Sequence, residues 1–328
     1  MEIAKQLKEQ LGEKLEEHLG LRDYTTMKVG GVADYVFSAS TVSELVNAVQ
    51  AAVNLDIPYL VLGGGSNVII SDYGFPGMVI FNRSSNVAFL QDRSQVMSDS
   101  GVYLSHLITS AAAKEYGGLE FLVGVPGTVG GAAYNNVSCW GGEFSDYVRS
   151  LTILLPGEEK GERCRTVNIE AQDMKFGYHS SWLKENSGKN VGRKPVILSV
   201  KLQLASLRRE EIMRRIKQYQ QMRLSKQPLG EHSAGSIFKN PSGFEATASE
   251  DKNYSAGFLI DKSGGKRLRV GGAQVSKKHA NFIVNTGKAT AMDVRQLIEQ
   301  IQELVREKKG ITLEEEIEFI GEWSKEQG

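Results

Sequence analysis

Two glycine-rich stretches constrain this chain more than any other feature: "VLGGGSNVIISD" at residues 61–72 and "VGVPGTVGGAAYNN" at residues 123–136. Neither can fill a core, because both set glycine where a strand would carry apolar side chains. Glycine alone combines easy access to φ > 0 with close approach to a bare peptide. One such stretch reads as a tight turn between strands. Two of them point to backbone N–H groups gathered round one extended anion. The familiar nucleotide signatures do not apply: "GGGSN" lacks the Lys-Ser/Thr of a P-loop, and no G-x-G-x-x-G stands between a strand and a helix with an acid about 20 residues on.

With 328 residues the chain is long enough for two or three lobes. Ile3, Leu7, Leu11, Leu15 and Leu19 recur every fourth position, which predicts an amphipathic N-terminal helix. Thr41 and Glu44 form a capping-box pattern ahead of "ELVNAVQAAVNL", and strands are expected at "DYVFSA", "PYLVLG" and "GMVIF". A second lobe runs through "YLSHLITSAAAKEYG" to "PVILSVKLQLA". Near residue 206 a highly charged helix marks the main boundary, and Gly310 is the expected stop of the last long helix. Lys plus Arg and Asp plus Glu balance at 39 each, which argues against a nucleic-acid footprint. Two cysteines, Cys139 and Cys164, make neither a disulfide framework nor a metal motif. Residues 1–20 lack the apolar centre of a signal peptide, and no run is long enough to span a bilayer. These features predict a cytoplasmic protein without metal.

Five ordered blocks, "YTTMKVGG", "VLGGGSNVIISD", "GLEFLVGVPGTVGGA", "HSAGSIFKNP" and "RVGGAQVSKKHANFIVN", make the chain resemble the UDP-N-acetylenolpyruvoylglucosamine reductases of bacterial cell-wall synthesis. The resemblance implies an α+β fold. It would hold a two-lobed FAD-binding domain of the vanillyl-alcohol oxidase (PCMH) type over residues 1–206, with lobes at about 1–82 and 83–206. A smaller α+β substrate-binding domain would cover 207–328, its last strand free to return to the first lobe. It also implies noncovalent FAD, NADPH as hydride donor, and reduction of an enolpyruvyl ether on UDP-N-acetylglucosamine to UDP-N-acetylmuramate by a monomer, without nucleic acid or membrane. Two other activities fit the same residues: an impaired FAD and nucleotide-sugar binding paralogue, and an oxidase or dehydrogenase of the same flavin fold acting on another substrate.

In this resemblance Gly63, Gly64, Gly65, Ser66 and Asn67 would offer backbone donors to the FAD pyrophosphate without help from a cation. Pro126, Gly127, Thr128, Gly130, Gly131, Asn136 and Ser138 would line the ribityl chain and ring, where a side chain at Gly127, Gly130 or Gly131 would take cofactor space. Ser236 matches the family's proton-donating serine and Glu316 its C-terminal glutamate. Tyr178, Lys226, Lys239, Asn240 and Lys266 match substrate-binding positions. Taken singly, Ser236 reads more often as a turn serine than as an acid, Lys226 and Lys266 read equally as solvated surface, and Glu314 to Glu316 can be a solvated acidic run.

Three features depart from the pattern. His179 stands where the family has an arginine for the substrate carboxylate, so a permanent two-pronged charge gives way to an imidazole. Val137 and Ser138 add bulk where the family has small residues, and Cys139 beside them reads as a small buried residue rather than a flavin attachment point. Residues 182–195 contain no tyrosine, which matches the subtype lacking an inserted tyrosine loop.

Overall fold

The computed structural model describes residues 2–90, 94–157, 159–186, 193–241 and 254–323. Part of the segment expected to lack a tyrosine loop, residues 187–192, lies outside them. Two compact units emerge. The first comprises residues 1–19, 33–64 and 76–220; the second comprises 20–32, 65–75 and 221–328. The division therefore falls inside the charged helix Arg209–Lys226 rather than at 206, and two N-terminal segments join the C-terminal part.

In the first unit a four-stranded sheet runs in the order Leu15–Gly20, Val32–Ala39, Phe75–Asn82, Tyr59–Leu62. The last two strands are parallel, with Tyr59 opposite Met78 and Leu62 opposite Phe81. Parallel neighbours need a crossover, and "GGGSN" opens that connection. The helix Val42–Leu55 starts as its sequence predicts: Thr41 Oγ1 accepts from Glu44 N–H at 3.1 Å and Glu44 Oε2 accepts from Ser40 N–H at 2.8 Å. Its Leu45, Ala48, Val49 and Ala52 pack with Met78 and Ile80 in one core. The N-terminal helix is shorter than expected. It ends at Leu11, Gly12 takes φ 75°, and Leu15–Gly20 is a strand.

The same unit carries a five-stranded antiparallel sheet, in the order Arg165–Glu170, Val148–Leu155, Val196–Gln203, Gln95–Asp99, Val87–Leu90. Helices Leu104–Ala113 and Val129–Asn135 bury Leu104, Leu107, Val129 and Ala133 with Val200 and Leu202 of this sheet.

The second unit is built on helices Ala256–Ser263 and Ala291–Lys309 and a three-stranded antiparallel sheet, Arg269–Val270, Ala273–Val275 and Ile283–Asn285. The long helix is capped by Thr290 and Asp293 and stopped by Gly310 at φ 68°. Its first N–H groups also find a remote acceptor, since Asp72 takes Ala291 N–H at 2.9 Å and Met292 N–H at 3.0 Å. The last strand, Glu318–Ile320, pairs in parallel with Val68–Ile70, directly after "GGGSN".

Candidate functional site

In the first unit the two glycine stretches, about sixty residues apart in sequence, lie against each other. A Cβ on Gly63 would overlap the Thr128 side chain. One on Gly64 would stand 3.1 Å from Gly127 Cα and 3.7 Å from Tyr103 Cε1. Two bare backbones can come this close only where both lack side chains. The second stretch is tied down by Leu104 N–H to Gly127 O at 3.1 Å and Val129 N–H to Val102 O at 2.8 Å, and Pro126 enters this turn.

Beyond Thr128 the chain does not remain a loop. Residues Val129–Asn135 are helical, with the Thr128 hydroxyl accepting from Gly131 N–H at 3.4 Å. This separates two glycines expected to act alike. A Cβ on Gly130 would sit 2.8 Å from Ser100 Cβ and 3.0 Å from Ser100 O, so Gly130 serves close packing against protein and not open cofactor space. A Cβ on Gly131 meets only Thr128 Oγ1, at 3.7 Å, so the space beside it is open. Arg83 Nη1 donates to the carbonyl side of the first glycine loop, at Gly63 O, 2.8 Å away. Arg83 and Tyr103 carried no local signal. A cradle of bare backbone, an open position at Gly131 and an adjacent guanidinium fit a dinucleotide such as FAD.

Asn136 ends the short helix in the left-handed region, fully buried. Its amide nitrogen donates to Glu143 Oε2 at 3.1 Å and Gly177 O at 2.9 Å, and its oxygen accepts from Ser145 N–H at 3.0 Å. That side chain clamps the segment carrying Tyr178 and His179. Gly177 and Ser180 exchange two backbone hydrogen bonds of 3.1 Å, and His179 holds φ 49° inside that turn. Histidine is among the residues that tolerate this region best. His179 is only 8% exposed, and its Nε2 lies 3.2 Å from Ser138 Oγ. The neighbouring Tyr178 ring meets it edge-on at 4.4 Å. Val137 packs against the core, and Cys139 Sγ donates to Phe121 O at 3.1 Å.

In the second unit Gly65 has φ 59° and approaches Tyr24 O so closely that a Cβ would overlap it. Ser66 follows, and Asn67 Nδ2 donates to Glu316 O at 3.2 Å. Glu316 N–H in turn donates to Ile237 O at 2.8 Å, which sets the expected glutamate beside the expected serine's segment. Ser236 bridges Phe282, and Asn281 holds the next residues through Phe238 N–H at 3.0 Å and Phe238 O at 2.8 Å. The acidic run separates by partner. Exposed Glu314 bonds Lys239 Nζ at 2.5 Å, and Glu315 Oε1 accepts from Gln302 at 3.0 Å. Asn240 Oδ1 accepts from Ala256 N–H at 3.0 Å, at the start of a helix.

His279, which no sequence motif marks, feels the charges of both Lys266 and Lys226. Burial lowers the His279 pKa from its ordinary 6.5, and the charges of Lys266 and Lys226 lower it further. Lys266 also bonds Asp261 at 2.9 Å. Two lysine charges acting on one region suit a polyanion such as a diphosphate. Among the described residues no group of His, Cys, Asp and Glu could hold a metal, and no helix is long and apolar enough to cross a membrane.

Residues 33–164 match the family described as FAD binding domain, and residues 227–320 match that described as UDP-N-acetylenolpyruvoylglucosamine reductase, C-terminal domain. A UDP-N-acetylenolpyruvoylglucosamine reductase of Caldicellulosiruptor bescii is 38% identical over 325 residues, covering 98% of this chain and 96% of that one. A Streptococcus pneumoniae protein of the same name is 36% identical over 303 residues and 92% of both chains. The crystal structure of UDP-N-acetylenolpyruvylglucosamine reductase from Thermus caldophilus superposes with a TM-score of 0.73 at 34% identity, over 93% of this chain and 98% of that one. The α+β fold with its FAD-binding domain is therefore shared along nearly the whole length, and the chain belongs to the UDP-N-acetylenolpyruvoylglucosamine reductase family.

Proposed function

We propose that this protein reduces the enolpyruvyl ether of UDP-N-acetylglucosamine to UDP-N-acetylmuramate, with NADPH as reductant, in cytoplasmic peptidoglycan precursor synthesis. It would act as a monomer, without nucleic acid or membrane. The observation that carries this reading is the backbone pairing of Glu316 with Ile237, which sets the glutamate next to Ser236 in the matched C-terminal domain. Bound FAD would supply the hydride relay, taking a hydride from NADPH and delivering it to the terminal carbon of the enolpyruvyl group.

The protein's own residues have the remaining work. Hydride addition leaves a carbanion beside the carboxylate, and that carbon needs a proton. Ser236 is assigned as the donor, with Glu316 as the second acid of the site. Lys226, Lys266, Lys239 and Asn240 are assigned to the sugar diphosphate end, where the charges of Lys226 and Lys266 both act on His279. Tyr178 and His179 are assigned to the substrate carboxylate. In the first unit Gly63, Gly64, Gly127, Thr128 and Gly131 would admit the noncovalent cofactor, with Gly65, Ser66 and Asn67 continuing the first loop. Pro126 shapes the second loop, while Gly130, Asn136 and Ser138 support it from behind through Ser100, Gly177 and His179.

Incubation with NADPH and the enolpyruvyl substrate should yield a product heavier by two hydrogens, with one NADPH oxidised per product. NADPH oxidation that yields no such product rejects the reading.

The Ser138–His179 contact favours one second reading, an FAD and nucleotide-sugar binding paralogue with impaired turnover. Calorimetric binding of the UDP sugar with no NADPH oxidation would select it.

A further inference from the structure

A glycine loop that binds through backbone donors has a weakness: nothing on the loop itself fixes the plane of its peptides. Arg83 answers this for one peptide. Its own N–H is anchored to Ala39 O at 2.7 Å, and its guanidinium lies 5.1 Å above the Phe81 ring before reaching Gly63 O at 2.8 Å. In a trans peptide the C=O and the following N–H point in opposite directions. Holding the Gly63 carbonyl therefore aims the Gly64 N–H away from Arg83. That N–H has no hydrogen-bond acceptor among the described residues, and Arg83 pairs with no carboxylate among them. A donor fixed in direction and left open, on a peptide polarised by a cation, is suited to an anionic oxygen.

We propose that Arg83 is a positioning residue for the cofactor's diphosphate: its grip on Gly63 O fixes the Gly64 N–H as a donor to a phosphate oxygen. The inference rests on the flavin reading above. Arg83 acts through the peptide rather than by touching the cofactor, so its loss should remove oriented binding without disturbing the fold.

The test titrates deflavinated wild type, Arg83→Met and Arg83→Lys with FAD, and compares the melting temperatures of the three apoproteins. A hydrogen bond to a charged group corresponds to about a tenfold to hundredfold change in affinity. Arg83→Met should weaken FAD by that factor at an unchanged apoprotein melting temperature, and Arg83→Lys should recover part of the loss. FAD affinity equal to wild type, or a loss that only parallels a fall in melting temperature, overturns the inference. Wild type that binds no FAD overturns the flavin reading instead. Should Arg83→Met not fold, a crystal structure of wild type with FAD decides. Gly64 N–H directed at a phosphate oxygen with Arg83 still on Gly63 O supports the proposal, and Gly64 N–H turned elsewhere overturns it.

Discussion

Ser138 Oγ lies 3.2 Å from His179 Nε2, so two residues that depart from the family pattern touch each other. Neighbouring changes that share a hydrogen bond are coupled, by about 0.5 to 3 kcal/mol. His179→Arg alone places a larger guanidinium against Ser138, and Ser138→Gly alone leaves a buried imidazole nitrogen without that partner. The double variant should be more active than the sum of the singles predicts. Steady-state kinetics on all four proteins gives the coupling, and strict additivity would mean the pair does not act together at the substrate.

Gly130 and Gly131 should part company when substituted. Gly130→Ala drives a Cβ into Ser100, and overpacking of this kind costs about 1 to 3 kcal/mol. Gly131→Val should leave the apoprotein melting temperature near wild type and lower FAD content, because its side chain enters open space. Thermal melts of apoprotein and the flavin-to-protein absorbance ratio check both. Full FAD content in Gly131→Val would remove this helix from the cofactor site.

His279 gives a stability prediction whose sign follows from burial. Its folded pKa lies below 6.5, so the unfolded chain takes up this proton first as pH falls. Stability from this group is complete above about pH 6.5 and declines below it, by less than about 1.4 kcal/mol per pH unit, until the folded pKa is reached. His279→Gln should lose this part of the acid sensitivity. Denaturant midpoints at pH 5 and 7.5 measure it, and an unchanged slope in the variant would contradict the assignment.

Ser236→Ala should leave flavin reduction by NADPH near wild type and slow the return of oxidised flavin on adding substrate, by about 10²- to 10⁴-fold. Only the second step delivers a proton to carbon. Stopped-flow absorbance separates the two steps, and equal slowing of both would make Ser236 structural.

What the sequence made legible was local. The Thr41–Glu44 cap and the Gly310 stop act within a single turn, and both appear as expected. The N-terminal helix is shorter than the leucine spacing predicts because a spacing of four suits a strand as well as a helix. Leu15 and Leu19 share a strand face once Gly12 ends the helix. The site was legible as motifs but not as partnerships. Gly64 meeting Gly127, Arg83 gripping Gly63, and Asn67 reaching Glu316 each join residues far apart in the chain, and no periodicity records such a meeting. Asn136 shows the converse: its place in a motif suggested the cofactor, while its amide holds the His179 turn.

The proposed reaction requires that one protein both accept a hydride from NADPH and return it to an enolpyruvyl ether. The most direct measurement is anaerobic: NADPH is added to purified protein until the visible flavin absorbance is bleached, excess nucleotide is removed, and UDP-N-acetylglucosamine enolpyruvate is added. Bleaching should be complete, and one equivalent of substrate should restore the oxidised spectrum. A flavin that stays reduced in the presence of substrate, and recovers only when oxygen is admitted, would contradict it.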